Sequence, residues 1–153
     1  MSEHKALISW RHAGGEFLKG QYLRDHTWTF DGGVVVPAAP SPANVPAAYG
    51  NPANVDPEEA FVAAVASCHM LTFLFLAYQA GFQVEAYESP AVGQMQKNES
   101  GRAWISRVTL YPKVMYREVK SPTPEQASQL HHHAHEQCII ANSIRTEVMV
   151  VEH

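Results

Sequence analysis

Two cysteines and a cluster of histidines are the residues of this sequence whose types and spacing could do chemistry. The stretch LHHHAHEQC, residues 130–138, contains four histidines and Cys138, and the other cysteine of the chain is Cys68. On a helix, His131, His135 and Cys138 lie on one face. Imidazoles and thiolates bind zinc, and two thiols can form a redox-active pair. The spacing therefore leaves open a metal site, a thiol site, and histidines that only pack or hydrogen-bond.

A metal site at these histidines lacks further ligands nearby in the sequence. A structural zinc ion needs four ligands, and the other candidate donors, Cys68 and His69, lie far away along the chain. No paired motif such as CxxC or HExxH is present. We therefore expect His132 and His133 to be solvated, and His131 or His135 to pack against the sheet or make a hydrogen bond. We predict no metal and no other cofactor. Metal binding remains an alternative.

A long apolar helix is predicted over residues 57–80. Asp56 suits the N-cap position, Glu59 completes a capping box with it, and Gly81 ends the helix. The helix is apolar nearly all round, which predicts burial on most of its faces. It is long enough to be tested as a membrane span, but the polar residues around Cys68 favour the central helix of a soluble fold and no membrane association.

The remaining pattern predicts strands on both sides of this helix and a second helix. The second helix begins after Thr123, with a capping box to Gln126, and ends near Cys138. We predict two or three strands joined by tight turns within residues 5–36, and one strand within residues 143–153. Residues 82–98 and 103–119 are predicted to form an antiparallel hairpin. A long connection rich in proline and alanine leads from the first strands to the central helix. The class is therefore α+β with a mainly antiparallel sheet.

Composition limits the size and the partners of the protein. A chain of 153 residues with 46% hydrophobic and 17% charged residues can form a single domain over residues 1–153. The net charge of −4 argues against nucleic acid and anionic membranes as partners. The first residues lack the apolar segment of a secretion signal, which predicts a cytoplasmic protein.

Two motifs resemble those of one family. The segments NVDPEEAFVAAVASCHMLTFLFLA and AHEQCIIANS are similar to the two cysteine motifs of the OsmC/Ohr family, the cysteine-based organic hydroperoxide reductases related to osmotically inducible protein C. The resemblance extends over nearly the whole chain. It implies mainly antiparallel sheets around a long central helix, in an intertwined homodimer.

The resemblance also implies a reaction. Cys68 would be the peroxidatic cysteine, which attacks an organic hydroperoxide and becomes a sulfenic acid, and Cys138 would be the resolving cysteine, which forms a disulfide with it. A dithiol reductant, such as a lipoyl protein, would reset the pair by exchange. We expect the helix end at Cys138 to fray and carry the sulfur to Cys68.

Two charged residues complete the implied site. By motif position, the family's arginine falls on Arg24 and its glutamate on Glu58, where Arg24 would stabilise the Cys68 thiolate and Glu58 would orient Arg24. Glu58 and Cys68 are separated by about 15 Å of straight helix. The glutamate must therefore act through the arginine, across a helix break, or from a second subunit. The motifs depart from the family at Ile139, where a proline is common, and at Asp25, which could compete for Arg24.

Two other functions remain open on the sequence. The protein could have kept the fold without the catalytic activity and bind an apolar small ligand, because aliphatic and aromatic side chains dominate the region around the central helix. Alternatively, the histidines and cysteines could bind a metal.

Overall fold

The computed structural model describes residues 1–117 and 120–152. The helices and strands are β1 Ala6–Ser9, β2 Gly15–Glu16, β3 Gln21–Tyr22, β4 His26–Phe30, β5 Val35–Ala38, α1 Pro57–Gln79, β6 Val84–Glu88, β7 Ala91–Lys97, β8 Ala103–Leu110, β9 Lys113–Tyr116, α2 Pro124–Gln137, α3 Ile139–Asn142 and β10 Glu147–Val150, with two 3₁₀ turns at Phe17–Lys19 and Ala47–Tyr49. The ends of two predicted strands, residues 118–119 and residue 153, lie outside the described residues. Two compact units divide the chain, Met1–Ala60 and the remainder from Phe61. A single domain over the whole chain stays a prediction.

The N-terminal unit contains an antiparallel sheet in the order β1–β4–β5. Ile8 lies opposite Trp28 on β4, and Trp28 lies opposite Val36. β2 and β3 form a separate ladder that turns at the left-handed Gly20. The unit thus has five strands instead of the two or three predicted, because the short ladder lies where the glycines indicate only turns. The predicted long connection follows β5.

The predicted ends of α1 are confirmed. The Glu59 N–H donates to Asp56 Oδ1 at 2.7 Å, and the Asp56 N–H donates to Glu59 Oε2 at 3.3 Å, which is the expected capping box. The helix stops at Gln79, and Gly81 adopts a φ of 78°. This left-handed conformation strains residues with a Cβ, so glycine is the residue that ends the helix here.

The prediction that α1 is buried on most faces is wrong for the single chain. The fully buried residues form one stripe: Val65, His69, Phe73 and Ala77. Large apolar side chains on other faces are exposed: Leu71 at 61%, Phe75 at 53% and Tyr78 at 73%. The most apolar stretch of 18 residues in α1 has a mean hydropathy of 2.0, so the helix is long and apolar enough to cross a membrane by length and composition alone. Only 22% of that stretch is buried within the single chain. Composition predicts an apolar helix, but it does not say which surface covers it.

The second unit is built on a three-stranded sheet with β8 at its centre. β7 pairs with β8 antiparallel through the predicted hairpin, and β10 pairs with β8 parallel. The long hairpin is interrupted near Pro90 and Pro112 because proline has no N–H for a ladder, so β6 and β9 form a separate pair. On β7, a Cβ at Gly93 would lie 2.6 Å from Val62 Cγ2. Glycine therefore allows α1 to approach the sheet.

The helix α2 carries the second predicted capping box. The Gln126 N–H donates to Thr123 Oγ1 at 3.2 Å, and the Thr123 N–H donates to Gln126 Oε1 at 2.9 Å. The helix ends at Gln137 with Cys138 as its C-cap, as predicted. The buried cluster between α1, α2 and the start of β6 consists of Phe73, Ala77, Phe82, Leu130 and Ala134. This cluster and the capping box set where α2 begins and which face it buries.

Candidate functional site

The structure brings the two cysteines together. Cys68 lies in the middle of α1 and is partly exposed, whereas Cys138, at the junction of α2 and α3, is 1% exposed. Both are free thiols, and they lie close enough for Cys68 to be one of the groups that raise the pKa of Cys138. Two neighbouring thiols, one of them accessible from outside, are the arrangement from which a redox-active disulfide can form.

The backbone around Cys138 is held in place. Cys138 Sγ accepts a hydrogen bond from the Ala141 N–H at 3.4 Å and so caps α3. The Asn142 side-chain amide donates to the carbonyl oxygens of Cys138 at 2.9 Å and Glu136 at 2.8 Å. The fraying that we expected from the sequence is therefore not needed for the two sulfurs to meet.

The two thiols differ in access to solvent, and Cys138 is held in its protonated form. Burial, together with the hydrogen bond to Cys68, raises the pKa of the Cys138 thiol to about 11. At neutral pH Cys138 is therefore protonated, and its S–H can donate to the sulfur of Cys68. Because Cys68 is partly exposed and Cys138 is buried, Cys68 is the better placed of the two to react first with a molecule from solution.

The histidines nearest the cysteines are paired and buried. His69 Nε2 and His131 Nδ1 are 3.1 Å apart, and the two rings are nearly parallel. This agrees with histidines that pack and hydrogen-bond. Among the residues that the structure describes, no group of three His, Cys, Asp or Glu side chains could hold a metal ion. His132 and His133 are exposed, as expected.

The pairing of the two histidines could not be found from sequence, because 62 positions separate them. The available signal was helical spacing. His69 lies four residues from the buried Val65 and from Phe73, and His131 follows the buried Leu130. Each histidine could thus be assigned to a buried face, but its partner could not be named.

Arg24 is fixed within the N-terminal unit. Its guanidinium donates from Nη1 to the Tyr22 carbonyl at 2.9 Å and from Nη2 to the Gly20 carbonyl at 3.1 Å. The guanidinium carbon lies 4.0 Å from the centre of the Tyr22 ring, and the Arg24 N–H donates to the Tyr49 carbonyl at 2.8 Å. Arg24 also lines a cavity of about 330 Å³ with Trp10, Phe17, Tyr22 and His26. The arginine is thus held rigidly beside an aromatic cavity.

The carboxylates predicted around Arg24 have other partners in this unit. Glu58 Oε1 accepts from Asn44 Nδ2 at 2.7 Å. Asp25 accepts from the Asn51 N–H and from a side-chain amide of the same loop. No ion pair joins Arg24 to either carboxylate within the described part of the chain. Because α1 is unbroken, a helix break is excluded as the route from Glu58 to Cys68, and the roles of Arg24 and Glu58 stay predictions.

Comparison with known proteins identifies the family. The family model described as OsmC-like protein matches residues 50–153. The chain belongs to the OsmC family. An OsmC-like protein of unknown function from Vibrio cholerae is 46% identical over all of both chains, with a TM-score of 0.97.

More distant OsmC relatives share the fold. The organic hydroperoxide resistance protein OhrB of Bacillus subtilis is 24% identical over 99% of this chain and 98% of its own, with a TM-score of 0.71. An organic hydroperoxide resistance protein from Elizabethkingia anophelis is 17% identical over 99% and 94%, with a TM-score of 0.72. No curated protein matches the chain. The predicted α+β, OsmC/Ohr-like fold is confirmed, and the OsmC protein described here is related to organic hydroperoxide resistance proteins.

Proposed function

We propose that this OsmC protein is a cysteine-based peroxidase that reduces organic hydroperoxides to alcohols. The observation that carries the proposal is the proximity of Cys68 and Cys138, in which the more exposed thiol is Cys68. The relationship to proteins named for organic hydroperoxide resistance supports the same chemistry.

The reaction proceeds in two steps. The Cys68 thiolate attacks the distal oxygen of the hydroperoxide, the O–O bond breaks, and the alkoxide leaves and takes up a proton to become the alcohol. Cys68 is now a sulfenic acid. The Cys138 sulfur then attacks the Cys68 sulfur, the S–O bond breaks, and the thiol proton and the hydroxyl leave as water. The product is the Cys68–Cys138 disulfide.

A dithiol reductant closes the cycle. One of its thiolates attacks the disulfide, and its second thiol releases the mixed disulfide, so both cysteines return to thiols. Dihydrolipoyl groups of a lipoyl protein have this chemistry, and no further cofactor is needed. A reducing cytoplasm would keep the resting pair as thiols.

Arg24 and Glu58 complete the proposed site. An arginine is charged at every relevant pH and can hold both a thiolate and a peroxide oxygen. The two carbonyl bonds that hold the Arg24 guanidinium leave further N–H groups to donate. Glu58 would orient this guanidinium.

The proposed enzyme is a homodimer. Leu71, Phe75 and Tyr78 on α1 leave an apolar stripe uncovered in the single chain. Exposed apolar stripes of this kind are typical of surfaces that another chain covers. A second copy packed on α1 would supply that cover.

A second candidate function is the binding of an apolar ligand without catalysis. It is favoured by the cavity beside Arg24, whose lining is mainly aromatic. Such a protein would leave both cysteines as thiols after exposure to peroxide.

Thiol counting after treatment with cumene hydroperoxide tests the proposal. The wild-type protein should lose both thiols, and Cys68→Ser should consume no peroxide. Cys138→Ser should complete one turnover and stop at the sulfenic or a more oxidised form. Serine is chosen at position 138 because its hydroxyl can still accept the hydrogen bond from the Ala141 N–H, so the local fold is kept. Two thiols that persist in excess peroxide would contradict the proposal and support the ligand-binding function.

A further inference from the structure

A hydrogen-bonded histidine pair joins the two helices that carry the cysteines. His69 directly follows Cys68 on α1, and His131 lies on α2 two turns before Cys138. The two histidines are only 1% and 4% exposed, and their bonded nitrogens are 3.1 Å apart. Inside the protein such a bond is stronger than it would be in water.

The histidine pair and the thiol contact fix α2 on α1 at two separate points. The other contacts at this interface are apolar: Phe73 stacks on His131 with ring centres 4.2 Å apart, and Leu130 and Ala134 pack beside it. Apolar contact is non-directional, so it permits a helix to slide or turn. A hydrogen bond between two rings depends on both distance and angle. The direction of α2 is therefore set by its polar contacts.

We propose that the His69–His131 pair positions the resolving cysteine, because it holds α2 in the register that keeps Cys138 against Cys68. Neither histidine touches the reacting atoms. The pair controls how fast the disulfide forms, whereas the first step does not involve Cys138. This inference deepens the proposed function, but its geometry applies equally to any oxidant that joins the two thiols.

The pair requires neutral rings. In a neutral pair one nitrogen donates and the other accepts. One added proton leaves a buried cation, and a second proton removes the acceptor. Burial, reinforced by His131 and His135, lowers the pKa of His69 to about 4, and burial lowers the pKa of His131 as well. At neutral pH both rings are therefore uncharged.

Other ionisable groups lie near the pair. His135, one turn further along α2, acts on His69, and Glu152, after β10, acts on His131. Tyr87 on β6 and Tyr116 on β9 pack against the buried cluster that contains Phe73. Glu152 favours a proton on His131, but burial opposes it more strongly. A cavity of about 230 Å³ lined by His131, His135 and Glu152, among others, gives water a path to the pair. Acid can therefore reach the pair and weaken the contact between the helices.

Two substitutions at His131 separate the hydrogen bond from the packing. His131→Phe keeps a ring against Phe73 but cannot accept or donate. His131→Asn places an amide near the position of Nδ1 and does not titrate. His133→Gln, on the exposed face of α2, is the matched control.

Each variant is oxidised with diamide, and quenched samples are analysed by mass spectrometry. Diamide accepts one thiolate at its N=N bond, and the second thiol displaces the hydrazine and forms the disulfide. The assay therefore needs no peroxidase activity. Sulfenic acid formation by cumene hydroperoxide is measured in parallel, and thermal melting checks that each variant is folded.

We expect His131→Phe to form the disulfide about tenfold more slowly or worse, since a misplacement of about 1 Å costs up to about 100-fold. Its sulfenic acid formation should be unchanged. His131→Asn should stay close to the wild-type rate at neutral pH. The wild-type rate should fall relative to that of His131→Asn when the pH is lowered from about 7 to about 4, where His69 takes up a proton.

Two results would overturn the inference: wild-type disulfide rates in His131→Phe, or an asparagine variant as slow as the phenylalanine variant. If His131→Phe does not fold, the pH profile decides, and parallel profiles for wild type and His131→Asn would overturn it. A protein that behaves as expected with diamide but forms no sulfenic acid with peroxide would refute the proposed function and leave the positioning role intact.

Discussion

Acidification should destabilise the fold through His69, and the size of the effect follows from its burial. The side chain is 1% exposed, and its pKa falls from 6.5 to about 4 because burial and the neighbouring histidines oppose a charge there. Each unit of pKa difference between the folded and unfolded states corresponds to about 1.4 kcal/mol. A difference of about 2.5 units therefore amounts to about 3 kcal/mol in the free energy of unfolding.

The direction of the effect follows from which state binds the proton. Above pH 6.5 His69 is neutral in both states, so the full stability is present. Between pH 6.5 and about pH 4 the unfolded chain takes up a proton that the folded chain does not, and the free energy of unfolding falls as the pH falls. Below about pH 4 both states are protonated and the loss from His69 is complete.

Urea unfolding at a series of pH values measures this loss. Protein concentration must be constant, since a dimer's stability depends on it. His69→Gln places an amide near Nε2 and removes the titration, so its stability should fall by about 3 kcal/mol less than that of the wild type between neutral pH and about pH 4. His133→Gln should follow the wild type. If wild type and His69→Gln lose the same stability, the reasoning about the buried histidine fails.

Two further predictions concern the proposed site and the proposed dimer. Arg24→Ala should slow the reaction of Cys68 with cumene hydroperoxide about tenfold or more at neutral pH, because a hydrogen bond to a charged group contributes about 1.5–3 kcal/mol. Stopped-flow measurement against the exposed Arg11→Ala variant checks this, and equal rates would mean that another cation acts on the thiolate. Replacement of both Leu71 and Phe75 by glutamate should convert the dimer to a monomer, because each side chain loses about 1.5–3 kcal/mol of burial and introduces a charge. Sedimentation velocity measures the change, and a monomeric wild-type protein would contradict the proposed dimer.

Local signals in the sequence were sufficient for the helix boundaries. Asp56 and Thr123 cap helices through bonds to residues three positions away, so the whole motif lies within one turn. Pro90 and Pro112 are equally local, and they explain why the predicted hairpin divides into two ladders. Helix caps and proline breaks act within a few residues of the chain, so they can be predicted without knowledge of the rest of the fold.

Features that depend on distant residues could not be derived in the same way. The contact of Cys68 with Cys138 was expected only from the resemblance to a family, because helical spacing does not connect α1 to α2. The pairing of His69 with His131 was not expected at all. The exposure of α1 was predicted wrongly because an apolar helix looks the same in sequence whether its own chain or another chain covers it. Sequence periodicity identifies a buried face but not the surface that buries it.

The capping of α3 by the Cys138 sulfur links the redox state of the protein to its local folding. The Ala141 N–H bonds to the thiol sulfur, and a disulfide requires that sulfur to lie about 2 Å from Cys68 Sγ. An N-cap contributes up to about 1 kcal/mol. If α3 is more stable when the Cys138 thiol caps it, that extra stability opposes formation of the disulfide by the same free energy. About 1 kcal/mol corresponds to about 20 mV in the two-electron reduction potential. Residues of α3 that do not touch either cysteine can thus tune how readily a Cys68–Cys138 disulfide is reduced.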